Sequence, residues 1–399
     1  MTSQDFQQVP NKYPSICLVS YLAYGALTGG RSGHIGGVEW QTTLFAKWLA
    51  QKGYRVSFLC LDEGGPQIEV IDGVRIIKTC GRFAGIKGLR YFHPKWTGLV
   101  RAMRQADADI YYHNSCECVT GQIAMWCRLR RRPFVFSSQC DTDFDPKLPC
   151  LETALDRSLY RYGLRHADVR VVQTEAQRVA VDSGFGLDAV VIPMPCPEAE
   201  NFTMGELESR PKRVLWIARL CKQKRPDRLL DLAEACPDIQ FDLVGPVYPD
   251  SYAREVFERA KKIQNVTVHG PVPRERVPEL YKNATCLCST SDFEGFPNTF
   301  LEAWSHGLPV VSTFDPDALI ATKNLGIIAR TVPELQAALR SVLRDPNRYR
   351  ELSQNGRRYF VENHRADMVL PKFEQVFLKL VKGSKETSSL KASPQVPVS

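Results

Sequence analysis

Ser291 to Thr313 reads SDFEGFPNTFLEAWSHGLPVVST. Two carboxylates, Glu294 and Glu302, stand eight positions apart around Gly295-Phe296-Pro297. The residues just before, ATCLCST, form an apolar, strand-like run. Pro297 suits the first turn of a helix, where its missing N–H costs little. The pattern predicts a helix from about Asn298 to His306, stopped by Gly307, and then a second strand at PVVST. Strand, loop, helix, strand is the unit of a parallel α/β sheet. Glu294 then lies in the loop at the mouth of the sheet. The helix start offers free N–H groups, at Gly295, Phe296, Asn298 and Thr299 around Pro297, that can face an anion. Glu302, more than one turn into the helix, only accepts hydrogen bonds and suits a diol such as a ribose. Glu294 suits the hydroxyls of whatever sits at the helix start. Taken alone, the two glutamates read better as a surface and a capping carboxylate.

The same alternation runs outward in both directions. SICLVSY, YRVSFLC, VRIIKT, DIYYH, PFVFSS, DVRVVQT and AVVIPM read as strands separated by helices or long loops. GGVEWQTTLFAKWLAQKG carries apolar residues at helical spacing and ends at Gly53. The rhythm breaks at Pro193 to Lys212, a Pro- and Glu-rich stretch read as a linker. It restarts with RVLWIA, QFDLVG, NVTVHG, ATCLCS and PVVST. The expectation is an α/β protein of two Rossmann-like domains with parallel sheets, residues 1–200 and 205–365. Ligands of such sheets bind at the carboxyl ends of strands, so the natural site is the cleft between the halves. A last helix over 366–383 and a small, polar, disordered tail over 384–399 complete the outline.

Composition narrows the function classes. The chain has 399 residues, 44% hydrophobic and 24% charged, with a net charge of +8. The basic runs are short and lack interleaved aromatics, which argues against nucleic acid. Thirteen cysteines without a Cys-x-x-Cys pair suit reduced thiols in a cytoplasmic protein. No signal peptide or membrane span is expected, so membrane contact would be peripheral, at the inner face. His113 with Cys116 and Cys118 matches no metal spacing.

EGFPNTFLEAWSHGLPVV resembles the Glu-x7-Glu signature of retaining GT-B glycosyltransferases, family 4 in particular. The resemblance extends over VTVHGPVPRERVPELYKNATCLCSTSDFEGF and RVLWIARLCKQKRPDRLLDL. The latter is similar to the family's donor-phosphate segment, with Arg219 and Lys224 five apart. Ala218 and Arg225 stand where glycine is usual. GGRSGHIGGVEW, with Gly36, Gly37 and Glu39, is similar to a Gly-Gly-x-Glu element of the family, and His34 lies in the same loop. Two elements depart from the family. The His that often follows the PFVFSS strand is absent from SSQCDTDF, where Asp141 is the substitute we name. Pro193-Met194-Pro195 replaces the usual Pro-Asn-Gly.

The resemblance implies the GT-B fold, with the last helix crossing back to the first domain. It also implies a nucleotide diphosphate sugar as co-substrate without a further cofactor or metal. The acceptor would be a glycan, a lipid-linked or a small-molecule hydroxyl, bound by loops such as Arg82 to Trp96 and Cys140 to Leu155. Arg219 and Lys224 would neutralise the leaving diphosphate, Glu302 would hold the ribose and Glu294 the donor sugar. Asp141-Thr142-Asp143 also spells the Asp-x-Asp metal motif of the other large glycosyltransferase fold, a short pattern that recurs by chance. The rivals are a nucleotide-sugar epimerase of the same architecture and a non-catalytic donor-binding subunit.

Overall fold

The computed structural model describes residues 13–29, 36–200, 202 and 205–391. It divides into two α/β units. The first holds the residues up to Ile192 and those from Leu370 on, and the second is Pro193–Val369.

The first unit is built on an eight-stranded sheet. Its strands are β1 (Ile16–Val19), β2 (Val56–Asp62), β3 (Ile68–Ile71), β4 (Val74–Gly81), β5 (Ile110–Asn114), β6 (Phe134–Ser137), β7 (Val169–Val172) and β8 (Val190–Val191). The order is β3-β4-β2-β1-β5-β6-β7-β8. Every neighbouring pair is parallel except β3–β4. All of β1 is buried, because helices cover both faces and no solvent side remains for polar residues. The antiparallel hairpin departs from the purely parallel sheet expected. Its turn is Asp72-Gly73, both with positive φ, and Asp-Gly is the pair that such a tight turn favours.

One face of this sheet packs under the helix Gly37–Gln51 and the long helix Ala366–Lys391. Phe373 and Phe377 lie with ring centroids 5.1 and 5.6 Å from Phe45. That helix runs beyond the expected stop near Gly383, because one glycine costs a helix only about 1 kcal/mol and Pro394 is the next breaker. Residues 392–399 of the expected tail lie outside the described residues. His113 on β5 is 1% exposed, with Nδ1 2.8 Å from the Val19 carbonyl. Burial pushes its imidazole down to about 4, so it is a neutral core residue. All thirteen cysteines are free.

The second unit has a six-stranded, all-parallel sheet of β9 (Arg213–Ile217), β10 (Gln240–Val244), β11 (Val266–Gly270), β12 (Cys286–Ser289), β13 (Val310–Ser312) and β14 (Gly326–Ile328). The order is β11-β10-β9-β12-β13-β14. Strand order therefore reverses between β9 and β12. The expected linker is partly folded into this unit. Met194 and Cys196 are buried, the Cys196 N–H donates to the His364 carbonyl at 2.8 Å, and Ala366 N–H donates to Cys196 at 3.0 Å. The Pro and Glu content hid these two apolar anchors.

In the first unit the helices Val119–Arg130 and Ala154–His166 touch through their backbones. A Cβ on Gly121 would stand 2.2 Å from the Leu159 carbonyl oxygen, and one on Gly163 2.6 Å from the Thr120 carbonyl carbon. Gly121→Ala is expected to force these helices apart and lower stability by about 1–3 kcal/mol, read as a lower urea midpoint with an unchanged slope. An unchanged midpoint would show that the helices separate freely.

Candidate functional site

β9 and β12 are neighbours, with Leu215 beside Leu287, so the loops leaving their carboxyl ends stand side by side. The first loop carries Arg219 and a single 3-10 turn, Lys222–Lys224, before the helix Pro226–Ala235. The second runs from Thr290 to Pro297 before the helix Asn298–Ser305. Buried Thr290 ties the two together. Its hydroxyl accepts from Trp216 Nε1 at 2.9 Å and lies 2.8 Å from the carbonyls of both Lys224 and Arg225. The Asp292 N–H donates to the Gln223 carbonyl at 2.9 Å, and the Gln223 side-chain amide donates to Phe293 at 3.0 Å.

The two replaced glycines now have a physical account. Arg225 adopts φ 48° and ψ 52°, the left-handed region that glycine enters freely. Two carboxylates hold it there: Asp227 at 2.8 Å and Asp292 at 3.4 Å. At Ala218 the close approach falls to its neighbour instead. Gly245 has φ 140°, and a Cβ there would stand 1.8 Å from the Ala218 carbonyl oxygen.

These loops set the charged groups. The Lys224 ammonium contacts Glu294 Oε1, and the Ser291 hydroxyl donates to the same oxygen at 2.7 Å. The Lys224 and Glu294 side chains are 17% and 13% exposed. Arg219 is half-buried and forms no ion pair with a carboxylate among the described residues. A partly desolvated guanidinium without a counter-charge is a natural hydrogen-bond donor to phosphate.

Glu302 is placed differently from expectation. It is 6% exposed, with one oxygen against the Arg274 guanidinium and the other accepting from the Tyr281 hydroxyl at 2.8 Å. Tyr281 is itself buried, and burial with Glu302 beside it raises its hydroxyl well above the usual tyrosine value. The carboxylate offered as an open acceptor is thus already engaged on both oxygens. Phe296 is also a packing residue, its ring 6.3 Å from Trp304 and 5.0 Å from His364. Gly295 and Pro297 are buried beside it, while Asn298 and Thr299 are half-buried at the helix start.

The remaining candidates lie in the first unit. Gly36 caps the helix that Gly37 begins; His34 lies outside the described residues. Asp141 is exposed, and its Oδ1 accepts from Gln177 at 2.9 Å. Asp143 turns inward and accepts from the N–H groups of Gln139 and Cys140 at 2.7 and 3.1 Å. It serves its own 3-10 turn, and burial pushes its carboxyl up to about 6. Glu117, in the loop after β5, passed unnoticed in the sequence. Desolvation, with like charge from Glu39, pushes its carboxyl up to about 7. The sequence also gave no sign of which residues serve the two glutamates. Ser291, Arg274 and Tyr281 are ordinary polar residues in PVPRERVPELY and STSD, and only the fold selects them.

Comparison with known proteins bears on this arrangement. Residues 36–197 match the family model described as a glycosyl transferase 4-like domain, and residues 198–359 match glycosyl transferases group 1. The chain is 28% identical over 182 residues to the lipopolysaccharide 1,6-galactosyltransferase of Salmonella typhimurium, covering 44% of this chain and 45% of that protein. Alignments with the first curated relatives span 42%, 45% and 32% of their lengths, less than half of each. Among solved structures, sucrose-phosphate synthase from Thermosynechococcus elongatus superposes with a TM-score of 0.77 at 18% identity, covering 93% of this chain and 100% of that one. HepE of Anabaena, solved in complex with UDP-glucose, superposes at 0.73 and 17% identity, covering 92% and 100%. The fold is GT-B, as the sequence resemblance implied.

The buried Glu302–Arg274 contact makes a stability prediction. Glu302→Ala breaks the ion pair of the buried carboxylate with the half-buried Arg274 guanidinium and is expected to cost up to about 3 kcal/mol. Adding Arg274→Leu to that variant should restore most of the loss in urea melts. Equal stability of all three proteins would show that the pair is solvated and carries no weight.

Proposed function

We propose that this chain, built from a glycosyl transferase 4-like domain and a glycosyl transferases group 1 domain, is a retaining glycosyltransferase. It takes a sugar from a nucleotide diphosphate sugar and passes it to an acceptor hydroxyl on a glycan, a lipid-linked molecule or a small molecule. One observation carries this reading. The half-buried Arg219, without an ion pair among the described residues, and the Lys224–Glu294 pair stand on the two loops where strand order reverses. Doubly wound sheets bind their ligands at that place, outside the carboxyl ends of the strands. The UDP-glucose bound to the HepE structure supports a nucleoside diphosphate sugar as the donor class. Thirteen free thiols suit a cytoplasmic enzyme.

The chemistry follows from charge. As the bond between the anomeric carbon and the diphosphate breaks, negative charge grows on the leaving oxygen. Fixed cations aimed at that charge lower the barrier. Arg219 and Lys224 are those cations. Lys224 is held beside Glu294 before the donor arrives, so its ordering cost is already met by the fold. Glu294, steadied by Ser291, then accepts from the hydroxyls of the transferred sugar. Glu302 spends part of its acceptor capacity on Arg274 and Tyr281. A carboxylate has about four lone-pair sites, which leaves room for a ribose diol. The acceptor oxygen bonds to the anomeric carbon from the face the diphosphate leaves, and its proton passes to the leaving diphosphate oxygen, so configuration is kept. Asp141 stands in for the polar contact to the donor sugar, and Gly36–Gly37 offer backbone to a phosphate or sugar.

A thermal-shift screen with UDP, GDP and ADP identifies the base, because only a ligand of the folded state raises the midpoint. With the nucleotide that binds, Arg219→Ala and Lys224→Ala are expected to weaken affinity roughly ten- to a hundredfold, the value of a charge-assisted hydrogen bond. Two variants that bind like the parent would remove these loops from the donor site. The same cations make a divalent metal unnecessary in this reading. Turnover in excess EDTA should be retained; complete loss, restored by Mn²⁺ or Mg²⁺, would overturn that and return attention to Asp141 and Asp143.

A further inference from the structure

Between β4 and the helix Thr97–Ala106 the first unit carries a segment unlike the rest of its surface. Phe83, Ile86, Leu89 and Phe92 are 77%, 73%, 64% and 55% exposed. Folded proteins seldom place four large apolar side chains in ten residues of open surface without a partner for them. The same segment is strongly basic. From Arg82 to Ala106 there are six cations, Arg82, Lys87, Arg90, Lys95, Arg101 and Arg104, and no acidic residue. None of the six forms an ion pair within 4.0 Å among the described residues.

The local structure holds these groups outward. Gly85 and Gly88, with φ 87° and 95°, turn the chain between the exposed side chains. Tyr91, Phe92 and Trp96 form an aromatic cluster, with Phe92 and Trp96 stacked at 6.1 Å. The helix after them buries Leu99, Ala102 and Met103 against the unit and leaves Arg101 and Arg104 outside. Between the cluster and this helix runs an open groove of about 650 Å³. Phe92, Trp96 and Val100 supply its apolar wall, and Arg101 and Arg104 its basic one.

We propose that this segment docks the first unit on the surface of an anionic phospholipid bilayer. The occupant is argued from the pairing of features. Exposed phenylalanine, isoleucine and leucine enter the boundary between headgroups and acyl chains, while a surplus of Lys and Arg meets anionic headgroups. A purely apolar patch would suit a protein partner, and a purely basic one any polyanion. A groove with one apolar and one cationic wall suits a molecule that is itself part acyl chain and part phosphate. No helix among the described residues is long and apolar enough to cross a membrane, so the contact is peripheral. The inference is independent of the donor site, since every residue it uses lies in the first unit.

Sedimentation of the full chain with vesicles tests it. Vesicles of phosphatidylcholine with 30–40% phosphatidylglycerol, roughly the anionic fraction at which surface potential matters, should carry the protein down. Pure phosphatidylcholine vesicles should not, and binding should weaken as salt rises. Lys87→Gln with Arg104→Gln removes two exposed charges, each worth about a fivefold factor near such a surface, so binding should fall roughly thirtyfold. Phe83→Ser with Ile86→Ser should also weaken it, at unchanged salt dependence. Both variants replace solvent-facing side chains and should keep the parent's thermal midpoint and nucleotide binding, which separates this test from that of the donor site. Equal binding to neutral and anionic vesicles, or no loss in either variant, would overturn the proposal. So would a concentration-dependent dimer that the serine variant dissolves, with no vesicle binding: the patch would then join two copies of the chain.

Discussion

Lys224 meets Glu294 because β9 and β12 are neighbours from which the sheet grows in opposite directions. From β9 the chain builds outward through β10 and β11, and from β12 it builds outward through β13 and β14. Helices that follow the two central strands must therefore diverge to opposite faces, and the loops between strand and helix are left open at the carboxyl edge. Everything that makes the candidate site chemical hangs on those two loops. Thr290 and Trp216 lock them to each other from below, and Gly245 lets the neighbouring backbone pass close beneath Ala218. Arg225 holds a left-handed turn with ion pairs where a glycine would need none.

The two glutamates that define the motif live in different surroundings. Glu294 sits between the Lys224 ammonium and the Ser291 hydroxyl and is partly exposed. Glu302 is inside, bonded to Arg274 and Tyr281. Its removal breaks that ion pair and the Tyr281 hydrogen bond, which is costly to the fold whatever it does to binding. A loss of activity in Glu302→Ala therefore says little about the ribose until stability is known. In the first unit, Glu117 beside Glu39 is a second carboxylate pair at a strand end, with Glu117 pushed toward neutrality.

Much of the fold was legible in the sequence because apolar runs and glycine stops have a local cause. The helix over Asn298–Ser305, its stop at Gly307 with φ 63° and the strands on either side all follow from short-range pattern. The Asp72-Gly73 hairpin was equally legible, and was missed because the parallel rhythm around it was stronger. β14, only Gly326–Ile328, is too short to carry a pattern. The site was legible only in part. Charge type and spacing marked Arg219, Lys224 and Glu294, but nothing local says that Glu302 turns inward or that Phe296 packs against His364, since those contacts join residues far apart in the chain. The same is true of Asp143, where three letters suggested a metal ligand and the fold made a turn.

The central claim is that the β9 and β12 loops read the diphosphate of a nucleotide donor. Calorimetric titration with a nucleoside diphosphate and with the matching monophosphate, on the parent protein and on Arg219→Ala/Lys224→Ala, tests it as a closed thermodynamic cycle. The account predicts that the parent prefers the diphosphate strongly and that the double variant binds the two nucleotides nearly alike, because the groups that recognise the second phosphate are gone. A preference of the same size in both proteins would contradict it, and would place the diphosphate away from these loops.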